Sequence, residues 1–559
     1  MINPSTRYIA VRNYAEIFND ILPNDKLKFI RAYPTDLLVI KLSKINAILF
    51  QELDIPRQTT RSLEILFPGT DSIPLADIKD FETSAYFASA SISLLLKACM
   101  ENFVALGADH RDHPHSLGLD LLKTILIFNG LYFKDDPSLR RDSFEAIFRL
   151  DMQQQAYIRS NVYQKMFTMV KFAFASKFLS EADDLSIECR EFCAHFQIAN
   201  PWFFGKFILM IFEAMLAEGK SGKNTFNLEG IPPTIISEFT IDRSSLERQK
   251  PLSINMDIIP KPLYLIGNNA VILDYNFFQY AIDQGFFYLL YKNTSLSKGL
   301  RFNSYNAFQG YIGYHYFEQY LVKKYLSAIF YRPHQKVISS EQYQDFIIKA
   351  TENKVLVIEV KSSTFHAKTL EEMDFNAFRS TIDQNLLTSK SSATKNKGLS
   401  QIVKQIEYLY DDTSDLAHLL GISAPHKVTI YPIIIYSDPN FDVSGVNDYV
   451  NEQFDAVRSN GHKQVRSIKP VTLINIHVLI KYYAHMKQGP SQLTDLISGY
   501  FSYIRKNKKK YIKEGHLHEH YLANISFEAY LRRTLPGDHL VRNLQAMEKD
   551  FDLNIPAIQ

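Results

Sequence analysis

Three residues near the middle of the chain have the types and the spacing to grip a cation and act on water: Asp345, Glu359 and Lys361, in EQYQDFIIKATENKVLVIEVKSS over residues 341–363. In VLVIEVK the apolar residues occupy both faces of an extended strand, Val355 and Val357 on one and Leu356, Ile358 and Val360 on the other. That is the pattern of a strand buried on both sides. Side chains alternate along a strand, so Glu359 and Lys361 continue the Val355/Val357 face and set a carboxylate beside an ammonium where the buried strand ends. Taking such groups out of water is costly unless they pair or bind an ion. Asp345 lies on the preceding segment, and the turn ATENK decides where it points. With Thr351, Glu352 and Asn353 as a three-residue loop and Asn353 left-handed, Ala350 faces Lys354 and Asp345 falls opposite Glu359. Cross-strand Cβ atoms are about 5 Å apart, so the two carboxylates would share one divalent cation. A two-residue loop would send them to opposite faces, and the chemistry therefore hangs on register. The plainer reading is a salt bridge between Glu359 and Lys361 at a strand end.

The surrounding elements must position these groups. The periodicity predicts a helix about Phe308 to Ser327, a hairpin about Gln342 to Lys361, and a helix about Gly398 to Tyr410. A strand KVTIYPIIIYSD, a helix around Val446 to Phe454 and a strand VTLINIHVLI follow. Alternating strands and helices of this kind make a mixed sheet flanked by helices. Upstream, from about Tyr14 to Ala217, apolar residues return every three or four positions and predict an all-helical domain. GKSGKNTFNLEGIPP, residues 219–233, has the composition of a boundary. Its GKSGK lacks the spacing and the feeding strand of a phosphate-binding loop. PLYLIGNNAVILDYNFF then predicts two strands around Gly267, followed by an aromatic helix. The expected division is a helical domain over 1–225, a strand-containing connector over 226–300, an α/β domain over 301–490 and a basic helical segment over 491–559.

Asp345, a thirteen-residue gap, and then Glu359-Val360-Lys361 resembles the D-(x)n-ExK signature of the PD-(D/E)XK, or restriction endonuclease-like, superfamily. The order helix, hairpin, helix, strand from about Phe308 to Asp438 is similar to that family's core. Gln344 stands where the family name has Pro, and the Q-x3-Y pattern of one branch is absent. The resemblance covers about a quarter of the chain. It implies an α/β mixed-sheet nuclease core that hydrolyses nucleic acid, DNA before RNA. In that reading Asp345, Glu359, the Val360 carbonyl and Glu318 of the first helix hold Mg²⁺ or Mn²⁺. Lys361 orients and helps deprotonate the attacking water, and Gln405, with Gln401 as the other candidate, faces the site from the second helix. An arrangement with a large helical half resembles bacterial restriction or anti-phage effectors; the competing function is a non-catalytic nucleic-acid-binding or scaffold protein.

Charge gives no global support to a nucleic-acid partner, because 62 Lys and Arg against 60 Asp and Glu leave a net +2. Any phosphate-binding face must be local. Lys390, Lys395, Lys397 and Lys404 lie in a stretch without acidic residues and are the candidate backbone contacts. RKNKKKYIK, residues 505–513, is a second basic run, and His516, His518 and His520 beside it read as surface histidines. DHRDHPHSLGLD, residues 109–120, reads as a surface loop rather than a metal site. Three cysteines make no disulfide framework and suit a reducing cytoplasm, with Cys189 and Cys193 read as core residues. Neither a signal peptide nor a membrane span is expected. A protein partner for the helical half and self-association are left open.

Overall fold

The computed structural model describes the chain apart from residues 1–9, 53, 70–83, 106–113, 134–142, 159–163, 222–225, 243–245, 247–250, 300, 341–342, 388–397, 412–413, 459–466, 490, 536–539 and 554–559. Two compact units emerge. The first comprises Met1–Ser138, Met152–Phe172 and Leu179–Arg301, and the second Leu139–Asp151, Ala173–Phe178 and Phe302–Gln559. The Gly- and Pro-rich stretch after residue 219 is therefore internal to the first unit, and two pieces of the expected helical domain belong to the second.

The first unit is predominantly helical. Its long helices Thr35–Gln51, Ser89–Glu101 and Pro114–Tyr132 pack on one another through runs such as Leu38, Val39, Leu42 and Ile45, all buried. It is not all-helical: Ala10–Val11 pairs with Ser84–Ala85, a bridge too short to leave an alternating pattern in sequence. Leu263–Ile266 and Asn269–Ile272 form the expected hairpin around Gly267, whose φ of +60° suits a residue without a Cβ. Phe226–Asn227 adds a third strand. The loop expected over 109–120 is helical from Pro114, since proline is well placed in a first turn where its missing N–H is not needed; His110 and His113 lie outside the described residues. Cys189 and Cys193 share a face of the helix Ser186–Phe196 and are half-buried rather than in the core. Among the described residues no helix is long and apolar enough to cross a membrane.

The second unit is built on a six-stranded mixed sheet. Its strands are β1 (Lys336–Ser340), β2 (Gln344–Thr351), β3 (Lys354–Lys361), β4 (Thr429–Tyr436), β5 (Ser467–Ile468) and β6 (Thr472–Asn475). β1, β2 and β3 are antiparallel neighbours, β4 lies parallel to β3, and β5 and β6 pair in turn along the far side of β4. Pro432, which has no N–H to give, falls at the break between β5, paired through Ile430, and β6, paired from Ile433. Residues 355–360 of β3 are all buried, as a doubly apolar run between two neighbours should be. The helical stretches Tyr305–Ile312, Gly313–Val322 and Lys323–Ile329 run end to end as α1, the middle one with π-helical turns. α2 (Leu399–Tyr410) packs on β3 in the crossover to β4, α3 (Val446–Arg458) follows β4, and α4 (Gln492–Glu514) comes after the sheet. Parallel neighbours require such a crossover.

One expected strand is shorter than its apolar run. VTLINIHVLI is extended only to Asn475, whose side chain accepts from the His477 N–H at 2.9 Å and caps a helix over Ile476–Lys481. Both segments are buried, so periodicity could not tell them apart.

Candidate active site

The hairpin reaches the anticipated register by a different route. Thr351 pairs with Lys354 across a two-residue turn of Glu352 and Asn353, which alone would have put Asp345 and Glu359 on opposite faces. A bulge at Ala350, between the pairs Thr351↔Lys354 and Lys349↔Val355, then absorbs one residue. From there the ladder runs to Phe346↔Ile358, and one step further sets Asp345 opposite Glu359. Asn353 is not among the residues with positive φ; the extra residue is taken up in the strand, and the turn is closed by the Thr351 hydroxyl on the Asn353 side chain at 3.1 Å.

Asp345 Oδ2 accepts the backbone N–H of Val360, and Lys361 Nζ donates to Glu359 Oε1. Because a strand residue directs its N–H and C=O to the same side, the Val360 carbonyl opens toward the Asp345 strand. The Lys361 carbonyl points the other way and accepts from Ser437 at 3.2 Å. Glu359 is only 3% exposed, so its charge has little water to lean on. α1 approaches the same strand end closely: a methyl group added at Gly313 would collide with the Ser362 hydroxyl. Five residues on, Glu318 lies in the π-helical stretch, a distortion that recurs at functional sites and that nothing in the sequence announces.

These groups act on one another. Burial, and then the Asp345 charge, push the Glu359 carboxyl up to about 8 against the opposing pull of Lys361. Burial likewise raises Glu318 to about 7, again with Asp345 as the second cause and with Gln319 and Lys361 pulling down. Asp345 is raised by its own burial, while the Val360 N–H and Lys361 restrain the rise. Among the described residues Lys361 is the one cation acting on these three carboxyls, and burial, ahead of the neighbouring charge, is what raises Glu318 and Glu359.

Gln405 is buried on α2, and its side-chain oxygen has no hydrogen-bond partner among the described residues. Gln401 is occupied differently, accepting the Gly398 N–H at 3.0 Å at the start of the helix. Lys404 is exposed and lies over the Tyr408 ring at 5.5 Å, whereas Lys390, Lys395 and Lys397 fall outside the described residues. His516 and His518 are exposed, on or beside the helix Leu517–Leu522, and His520 is partly buried against Tyr511.

No family model, no curated protein and no solved structure matches this chain.

The donors suit one class of cation. Among the described residues no group of three or more His, Cys, Asp or Glu side chains is placed to hold a metal ion, so Asp345, Glu359 and Glu318 are not gathered as a three-acid site. What is present is an open set of hard oxygens: two facing carboxylates, a third acid from α1 and a main-chain carbonyl. Mg²⁺ or Mn²⁺ binds through one or two carboxylates and keeps several waters, so of these groups the facing pair Asp345 and Glu359, with the Val360 carbonyl, would be the ones to hold it.

Proposed function

We propose that this chain is a metal-dependent nuclease that hydrolyses phosphodiester bonds, with DNA as its first substrate. The observation that carries the reading is the facing of Asp345 and Glu359 beside Lys361 at the buried end of β3. The sequence of elements α1, β1 to β3, α2 and β4 supports it as the order expected from the PD-(D/E)XK resemblance. Asp345, Glu359 and the Val360 carbonyl would hold the cation. When bound, Mg²⁺ or Mn²⁺ polarises the phosphoryl oxygen, lowers the proton affinity of water and neutralises the leaving oxygen.

The chain's own residues do the rest. Lys361, fixed on Glu359, places an ammonium beside the reacting phosphate, where it offsets charge and aligns the attacking water. Burial of Glu359 excludes bulk water and strengthens every charge interaction at that point. Gln405 brings a buried amide whose oxygen is free to accept a bond from water or substrate. The oxygen of water bonds to phosphorus as the phosphorus bond to the leaving sugar oxygen breaks; the attacking water gives up a proton to solvent, and the departing sugar oxygen takes one up from solvent to leave as the alcohol.

A non-catalytic scaffold would need only the Glu359–Lys361 pair. Asp345 and Glu318 add like charge to that pair, which a strut gains nothing from. The restriction or anti-phage role suggested by the large helical half belongs to this same proposal. Purified protein incubated with supercoiled, linear and single-stranded DNA and with RNA, in Mg²⁺, Mn²⁺ or EDTA, tests it. Cleavage of DNA that needs the cation is expected; binding without cleavage in any cation would leave the scaffold reading standing.

A further inference from the structure

The basic run near the end of the chain lies on α4, and the structure sorts its cations into two sets. Lys508 is paired with Asp448, and Lys510 with Glu514 and Glu519. Arg505, Lys506, Lys509 and Lys513 have no hydrogen-bond or ion-pair partner among the described residues, and all four are exposed. The spacing explains the sorting: positions 505, 506, 509 and 513 recur at three-, four- and seven-residue intervals and form one stripe of the helix. Exposed Ser502 lies on the same stripe, and Ile512, 82% exposed, stands within it. Between Asp495 and Glu514 the helix contains no acid, so nothing on α4 itself neutralises the stripe.

The position of the stripe follows from how α4 is anchored. Asp495 pairs with Lys354 at 2.7 Å, at the beginning of β3. One turn later Ser498 meets the Tyr431 hydroxyl of β4 at 3.3 Å, and Lys508 reaches Asp448 in the first turn of α3, the helix that follows β4. β3 and β4 are parallel, so α4 climbs along them from the Lys354 end. Thirteen residues of helix, from Asp495 to Lys508, advance about 20 Å, close to the length of an eight-residue strand. The basic stripe is thereby delivered toward the end of the sheet where Glu359 and Lys361 stand, from the opposite face, since Lys354 and Tyr431 share the Leu356 side of the sheet.

We propose that Arg505, Lys506, Lys509 and Lys513 form a docking surface for the phosphate backbone of duplex DNA. A rigid helix carrying four unneutralised cations over roughly 12 Å matches a polyanion with regularly spaced charges, and it carries no base-reading pattern. Lysine and arginine on such a stripe position the duplex without reading sequence. The inference rests on the nuclease reading only for the identity of the partner.

The test uses the full chain with the four cations changed together to glutamine (R505Q, K506Q, K509Q, K513Q), all solvent-facing substitutions. A control of equal charge loss elsewhere combines K26Q, K28Q, K298Q and K427Q, each at an exposed lysine. Binding of a short labelled DNA duplex is followed by fluorescence anisotropy in Ca²⁺ over a salt series. The stripe variant should bind about tenfold or more weakly near physiological salt, with a slope of log K against log salt reduced by about 0.9 for each phosphate no longer neutralised. The control should keep both values near those of the parent protein. Equal affinity and slope in the stripe variant and the parent would overturn the proposal. So would binding to duplex RNA or to phosphatidylserine vesicles that depends on the stripe while DNA binding does not. Cleavage is read separately. A parent that never cuts DNA but loses binding with the stripe sinks the nuclease reading and keeps the surface; a parent that cuts, with binding indifferent to the stripe, does the reverse.

Discussion

The two units bury carboxylates in opposite ways. In the first, Asp274 is 3% exposed, and its oxygens accept from the Asn276 N–H at 2.8 Å and the Ser93 hydroxyl at 3.3 Å. Burial raises its carboxyl, and those donors pull it back. Asp283 is paired with the buried Lys171. Each of these acids has its own donors, and they serve packing. In the second unit Asp345, Glu359 and Glu318 have one lysine acting on them among the described residues, and burial raises Glu318 to about 7 and Glu359 to about 8. Buried carboxylates that face each other are the arrangement a cation completes.

Removing the acids puts the greatest stress on this contrast. Asp345→Ala and Glu359→Ala should each abolish cation binding and lower cleavage together, by about two orders of magnitude or more. Asp274→Asn should cost thermal stability and leave cleavage per folded molecule unchanged. Lys361→Ala should keep cation binding and still lose cleavage by a comparable factor, because it removes a group that acts on water and developing charge rather than a ligand. Near-parental cleavage by the Lys361 variant would take this lysine out of the mechanism.

A second test uses pH. A cation needs the ionised carboxylates, and Glu318 and Glu359 release their protons near pH 7 and 8, so affinity should rise as pH rises through that window. Each displaced proton contributes up to about tenfold per pH unit below its titration point. Stability has the opposite sign. The Glu359 value is raised in the folded chain from 4.5 to about 8, so its contribution is whole below about pH 4.5 and is lost as pH climbs through 8. Without cation the melting temperature should therefore sag from about pH 4.5 to 8 and level off above, and Glu359→Gln should flatten the fall. A flat parent profile would show that the cluster is already compensated.

Smaller effects come from the supporting residues. Gln405→Leu removes a buried amide with an unpaired oxygen, so stability should hold or rise by about 1 kcal/mol while cleavage falls about tenfold. Equal loss of both would make Gln405 a packing residue only. Gly313→Ala should lower cleavage modestly by pushing α1 off the strand end, and Ser362→Gly in the same chain should restore it by removing the hydroxyl it strikes. Failure of that rescue would detach α1 from the site.

What was legible in the sequence was whatever a strong pattern enforced. Val355 to Val360 could only be a central strand, and its emerging Glu359 and Lys361 marked the place where burial and charge conflict. The facing of Asp345 and Glu359 was legible only as an outcome. The two-residue turn and the Ala350 bulge that produce it were not, because a bulge and a longer loop shift register by the same single residue. The π turns around Glu318 leave no compositional trace, and Glu318 itself was reached through family resemblance. The interleaving of Leu139–Asp151 and Ala173–Phe178 with the second unit was hidden as well, since one apolar helical period serves either core.

If the facing carboxyls beside Lys361 form a cation site, calorimetry should detect the ion and the protons it displaces. Mn²⁺ is titrated into the parent protein and into the Asp345→Asn and Glu359→Gln variants at pH 8, in two buffers of different protonation enthalpy. The parent should show saturable binding with proton release, and each variant should lose both signals while keeping its fold. Absence of binding to the folded parent, or equal binding by parent and variants, would refute the cation site.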